Sequence, residues 1–155
     1  MKSNISTSLI NEMDQQELQH LITVSTGFID AYIIECHQQV PMLLPQNIVL
    51  SAMDVKNGIK HIEWHDVKLP VYSVHNEIDS RAVALVIESE DVSQRFALVC
   101  KSMPVSVRLR ISEVVDENED IQGSLKHPTV FKYVRMDNQC YHIPNLEYIE
   151  KTLGL

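Results

Sequence analysis

The residues best suited to chemistry in this chain are seven histidines and three cysteines. Their spacing limits what they can do. The nearest histidine pair is His61 and His65, in His-Ile-Glu-Trp-His. On a helix, two histidines four residues apart share a face and can hold zinc, with a glutamate beside the first histidine acting as base. Here Glu63 sits in the middle of the five, and the segment reads as a strand and turn, so no metal site is expected. Cys140 and His142 fall on one side of a predicted strand, which raises a cysteine-histidine pair. Packing at a core and its rim is the plainer account. Cys36, Cys100 and Cys140 are odd in number, isolated and set in apolar strand-like segments. That is the setting of small buried hydrophobes, not of a disulfide frame.

The glycines are Gly27, Gly58, Gly123 and Gly154, too few and too scattered for a dinucleotide-binding or phosphate-cradling loop. No Gly-x-Ser-x-Gly elbow is present to activate a serine. The sequence therefore assigns no catalytic residue, no metal and no cofactor. A formal charge of −8 argues against nucleic-acid partners, single strands included, because the phosphate backbone demands a surplus of Lys and Arg. Arg108 and Arg110, with Lys101 nearby, are a local exception. They read either as a solvated strand face offsetting the acids that follow or as a patch that meets an acidic partner. Trp64, the one tryptophan, reads as buried beside Ile62 or as a binding hot spot. No apolar run is long enough to span a bilayer, and residues 1–7 hold one basic residue and no export-length apolar stretch, so the expected location is the cytoplasm, without membrane insertion.

Positioning these residues falls mostly to strands. Residues 1–13 read as a flexible tail, and Asp14 with Glu17 makes a capping box for a short helix over 15–23, stapled by Met13 and Leu18. From Phe28 the period becomes strand-like. Tyr32–Cys36 and Val40–Leu44 flank a turn at His37-Gln38-Gln39, Ile48–Met53 is a third strand ended by Asn57-Gly58, and His61–Trp64 with Val67–Val74 closes around His65-Asp66. A second cluster opens with Ala82–Ile87, an unbroken apolar run typical of a strand covered on both faces, paired with Phe96–Cys100. Val105, Val107, Leu109 and Ile111 alternate with Ser106, Arg108 and Arg110, which predicts one dry and one wet face. Glu113, Asp116, Glu117, Glu119 and Asp120 predict a solvated loop. Lys132–Met136 and Gln139–Ile143 form a hairpin at Asp137-Asn138, and Asn145 caps a final helix over 145–153 whose Leu146, Ile149 and Leu153 share a face, with Gly154 ending it. Short strands without long intervening helices predict a mostly β protein of small barrels or a sandwich.

Over residues 28–153 this order of segments resembles the CheW-like domain of bacterial chemotaxis adaptors. The hairpin Tyr32–Leu44 running into Pro45-Gln46-Asn47-Ile48-Val49-Leu50 is similar to the family's opening strands. His61 to Val74, where a turn precedes Leu69-Pro70-Val71, resembles its most recognisable signature. Ala84–Ile87, Phe96–Cys100 and Val105–Ile111 resemble the second half, and Tyr133 through Leu153 its closing hairpin and helix. The resemblance implies one domain over 14–155, built from two five-stranded barrels side by side, about 28–78 and 80–144. It also implies a non-catalytic adaptor that bridges the cytoplasmic tips of chemoreceptors and the regulatory domain of an autophosphorylating histidine kinase. Trp64 with a polar turn ahead of the Pro-Val strand is most similar to adaptors of pilus-driven twitching systems. Family members commonly carry Arg-Gly in that turn, and this chain carries His65-Asp66, a titratable ring and an acid in place of a fixed cation and a permissive backbone. Gln46, Asn47, Trp64, His65 and Asp66 are the expected partner-binding residues. The alternative is a small-molecule site or enzyme in the cleft between the barrels.

Overall fold

Strand follows strand along the chain, and local turn chemistry decides where each ends. The computed structural model describes residues 27–76 and 81–155; the predicted tail and the helix at 15–23 lie outside the described residues. Among the described residues eleven strands run β1 (Phe28–Ile34), β2 (Met42–Pro45), β3 (Val49–Lys56), β4 (His61–Trp64), β5 (Val67–Ser73), β6 (Arg81–Ile87), β7 (Phe96–Cys100), β8 (Val105–Arg110), β9 (Val115–Asp116), β10 (Val130–Met136) and β11 (Gln139–Pro144). Two short helices, α1 (Glu119–Ser124) and α2 (Leu146–Thr152), lie before β10 and after β11. The three expected hairpins all form: β1 with β2 through Ile34↔Met42, β4 with β5 through Trp64↔Val67, and β10 with β11 through Met136↔Gln139. Gly58, with φ +83°, supplies the left-handed residue that the turn after β3 requires.

The strands form a six-stranded sheet ordered β8-β1-β2-β11-β10-β9 and a five-stranded sheet ordered β3-β6-β7-β5-β4. This differs from a division into 28–78 and 80–144. The chain changes sheet at the 3-10 turn Gln46–Ile48 and returns at residues 101–104, so β3 to β7 make one sheet and the two flanking stretches make the other. Hairpins are local and were legible. The parallel contacts that complete each sheet, β5 with β7 through Tyr72↔Leu98 and β2 with β11 through Met42↔His142, join residues far apart in sequence and leave no periodicity to read.

Three apolar clusters explain the arrangement. Ile62, Leu69, Ala82, Ala84, Val86, Ala97 and Val99 fill the inside of the five-stranded sheet. Ala31, Leu43, Leu109, Val134, Met136 and Tyr141 do the same for the six-stranded sheet. The third cluster, with Ile34, Met42, Leu44, Leu85, Ile87, Phe96, Leu98 and Ile149, lies between them. Alternate residues of β6 and β7 therefore enter their own lobe and the shared core, which is why both read as unbroken apolar runs. Helix α2 seals the shared core with Ile149, flanked by half-buried Leu146 and Leu153, and its Asn145 cap accepts from the Tyr148 amide at 3.1 Å.

Two expectations are corrected. The acidic stretch is not simply solvated: it forms β9 and α1, and Glu117 is buried, bound to Arg135 through two bonds of 3.0 and 2.8 Å. The guanidinium holds the Glu117 carboxyl below the usual glutamate range. Val105, expected on the dry face, is 61% exposed, because β8 ends its sheet and Val105 opens that strand. Leu44 is fully buried in the shared core. Leu44→Ala is expected to lower the unfolding free energy by about 2–5 kcal/mol in urea titration.

Candidate functional site

The tip of the β4–β5 hairpin carries three of the five residues singled out in the sequence. A two-residue connection between antiparallel strands favours left-handed backbone at both positions, and His65 (φ +50°) and Asp66 (φ +63°) adopt it. Asp137 (φ +50°) and Asn138 (φ +62°) solve the same problem at the β10–β11 turn with residues that tolerate it better than histidine. The price of this conformation at His65 is backbone strain held at an exposed loop. Both turn side chains project into solvent, and the half-buried Trp64 packs its inner edge on the five-stranded sheet's own core.

The tip is organised from beneath by a residue that sequence reasoning missed. The Arg95 guanidinium lies 5.5 Å from the centre of the Trp64 ring, and the His65 ring centre lies 4.2 Å from it, tilted by 32°. Arg95 is fixed in turn by Glu88 through bonds of 2.9 and 3.2 Å. The paired guanidinium holds the Glu88 carboxyl below its ordinary range. Ser89 follows, its hydroxyl donating to Glu150 of α2 at 3.0 Å. Burial pushes the Glu150 carboxyl upward. The tip is thus a stack of His65, Trp64 and Arg95 seated on an ion pair that is tied to the last helix. Both readings of Trp64 meet here: one edge is core, the other belongs to the tip. Arg95 and Glu88 lie in a polar loop without periodicity, and only Arg95's place directly before the apolar run Phe96–Cys100 could have drawn attention to it.

Gln46 and Asn47 sit elsewhere, on the 3-10 turn where the chain changes sheet. Gln46 is a structural tie: its amide donates to the Ala31 carbonyl at 2.9 Å and to the Ser106 hydroxyl at 2.6 Å, pinning the turn across β1 and β8. Asn47 is exposed beside it. The link from this turn to the hairpin runs through Ile48, whose carbonyl accepts from the Glu88 amide at 2.8 Å.

Between the lobes, a cleft of about 410 Å³ is lined by Cys36, His37, Gln39, Ser73, His75 and His127. It is polar, with His127 Nδ1 accepting from the Thr129 amide at 3.2 Å. Burial pushes Cys36 up to about 11, so at neutral pH it remains a thiol, the form that neither attacks nor binds a metal. Cys100 is pushed up to about 12 for the same reason. Cys140 and His142 do not act together. Cys140 lies against Glu117 and Arg135, while the buried His142 donates from Nδ1 to the Val40 carbonyl at 2.9 Å, fastening β11 to the β1–β2 turn. Burial also lowers the proton affinity of His142. Among the described residues, no three His, Cys, Asp or Glu side chains are placed to hold a metal ion, and no helix is long and apolar enough to cross a membrane.

Two lobes, one a contiguous five-stranded sheet, sharing a core and closed by a C-terminal helix, define a CheW-like fold. Among solved structures, the scaffolding protein TtCheW from Thermoanaerobacter tengcongensis superposes with a TM-score of 0.56 over 76% of this chain and 88% of that one. The two share 8% sequence identity, so the likeness is one of fold. Comparison of the sequence with protein-family models finds no match, and comparison with curated proteins finds none.

Two predictions follow from the tip. Asp66→Gly removes a side chain from a left-handed position and is expected to raise the unfolding free energy by about 1 kcal/mol, read by urea titration. The Glu88 carboxyl is depressed, so its contribution is complete above the ordinary glutamate range and is lost as pH falls through the lowered value. Emission from Trp64, the one tryptophan, should change across that acid window, and Arg95→Met should abolish the transition.

Proposed function

We propose that this chain is a non-catalytic adaptor of a bacterial chemosensory system. It is a cytoplasmic scaffold that couples the cytoplasmic tips of chemoreceptors to the regulatory domain of an autophosphorylating histidine kinase, in chemotaxis or in pilus-driven twitching motility. The observation that carries this reading is the likeness of fold to a scaffolding protein over 76% of the chain. The hairpin tip supports it. A tryptophan backed by an arginine, ringed by an exposed histidine and aspartate, is the kind of semi-buried anchor on which protein interfaces concentrate their energy.

In this proposal the interior holds the lobes rigid, and Trp64, His65 and Asp66 meet the kinase domain while Asn47 lies on a neighbouring face. His65-Asp66 gives that contact a titratable ring and an acid, with Arg95 against the Trp64 ring beside them. The test is calorimetric titration of the full chain against the kinase regulatory domain and the receptor tip encoded beside its gene. Binding to at least one is expected, and Trp64→Ala should weaken the kinase complex by about tenfold or more. Absence of heat with both partners at about 0.1 mM, with the chain folded by circular dichroism, overturns the proposal.

A further inference from the structure

Among the described residues the six-stranded sheet ends in β9 and in β8, and these two edges differ. β9 is two residues long and offers little backbone. β8 is six residues long, lacks proline and, among the described residues, is paired with β1 alone. The bond from the Ile111 amide to the Gly27 carbonyl sets the phase of this antiparallel ladder. Counting back by twos with the register Leu109↔Ile29, Val107↔Ala31 and Val105↔Ile33, the amides of 105, 107 and 109 face β1. The amides and carbonyls of Ser106, Arg108 and Arg110 therefore point outward.

The side chains on that strand are as distinctive as its backbone. Arg108 and Arg110 have side chains 71% and 60% exposed, and both guanidinium groups lie over the ring of Phe28 on β1, at 5.0 and 5.3 Å. Their acidic neighbours are distant and solvated: Asp30 at 4.0 Å and Glu113 at 3.8 Å. Such pairs contribute little and exchange readily for a better partner. Val105 and Met103 add exposed apolar surface at the start of the strand. β3, an edge of the other sheet, presents Asp54 and Lys56, one charge of each sign. In a chain of net charge −8, β8 is a cationic edge.

We infer that β8 is a docking edge for an extended, acidic segment of a partner protein, which adds as a further strand and sets carboxylates against Arg108 and Arg110. The main chain supplies hydrogen bonds, and the arginines supply sign selection. A second copy of this chain is the wrong occupant. Antiparallel self-pairing centred on residue 108 or 109 sets arginine opposite arginine, an arrangement that repels. β8 belongs to the sheet that does not hold the Trp64 hairpin, so this surface and the proposed kinase contact are tested separately, and failure of one leaves the other standing.

The test uses the full chain labelled with nitrogen-15 and a blocked peptide, Val-Glu-Val-Glu-Val-Glu, with Val-Lys-Val-Lys-Val-Lys as its counterpart. The glutamate peptide is expected to slow exchange of the Ser106, Arg108 and Arg110 amides by about fivefold or more at saturation, and the lysine peptide to leave them unchanged. Arg108→Glu with Arg110→Glu, both on the exposed face, should invert the preference, so that the lysine peptide now protects these amides. Equal protection by both peptides, protection at another strand, or none at millimolar peptide overturns the inference. So does a dimer in sedimentation that the double substitution dissolves. Should the double variant fail to fold, Arg108→Gln with Arg110→Gln is expected to abolish the glutamate peptide's advantage, and retention of that advantage refutes the inference.

Discussion

Three strands, β2, β6 and β7, are walls with an interior on both sides. One face of each fills its own lobe and the other fills the core shared between lobes. A wall of this kind has no wet face to relax into, so a one-residue slip would exchange two sets of buried side chains at once. Register is thereby fixed from both directions, and neither lobe can shift without opening the shared core around Leu44, Leu85 and Phe96. The loops at the lobe ends inherit that rigidity. The β4–β5 tip extends from β5, which is paired with β7, one of the walls.

Much of this was written in local sequence and some of it was not. Ala82–Ile87 and Phe96–Cys100 declared double burial by their unbroken apolar runs, and His65-Asp66 and Asp137-Asn138 declared hairpins by sitting between two alternating segments. What alternation cannot encode is which distant strand lies alongside. The sequence therefore grouped neighbours, while the fold takes β8 from the far side of the chain to sit beside β1. At the hairpin tip, Trp64, His65 and Asp66 were legible because a turn has a signature. Arg95 was not, because an arginine that reaches a tryptophan thirty-one positions earlier does so through space. Gln46 was legible as a polar partner-binding candidate, while its bonds to Ala31 and Ser106 were not, since they depend on the same non-local pairing.

The charges divide in a comparable way. Net acidity is spread over exposed positions, where pairs such as Lys151 with Glu147 contribute little. The pairs with fixed geometry, Glu88 with Arg95 and Glu117 with Arg135, each join a loop to a strand or a loop to the start of one. Arg135 draws the segment after β9 onto β10, and Gln122 of α1 reinforces it by donating to the Tyr133 carbonyl at 2.7 Å and accepting from the Tyr133 amide at 2.9 Å. These pairs act as clasps on irregular segments that have few apolar contacts to hold them.

The path of the chain between its sheets also orders events in time. Among the described strands β1 and β2 precede the rest, and during synthesis their other neighbours, β8 and β11, follow only after the five strands of the other sheet. The stretch from Val49 to Cys100 holds every strand of its sheet and can close while still tethered to the ribosome. The opening hairpin, with both edges bare, must wait for about sixty more residues before either flank is covered. A nascent chain of this topology is most exposed to wrong pairing at that hairpin.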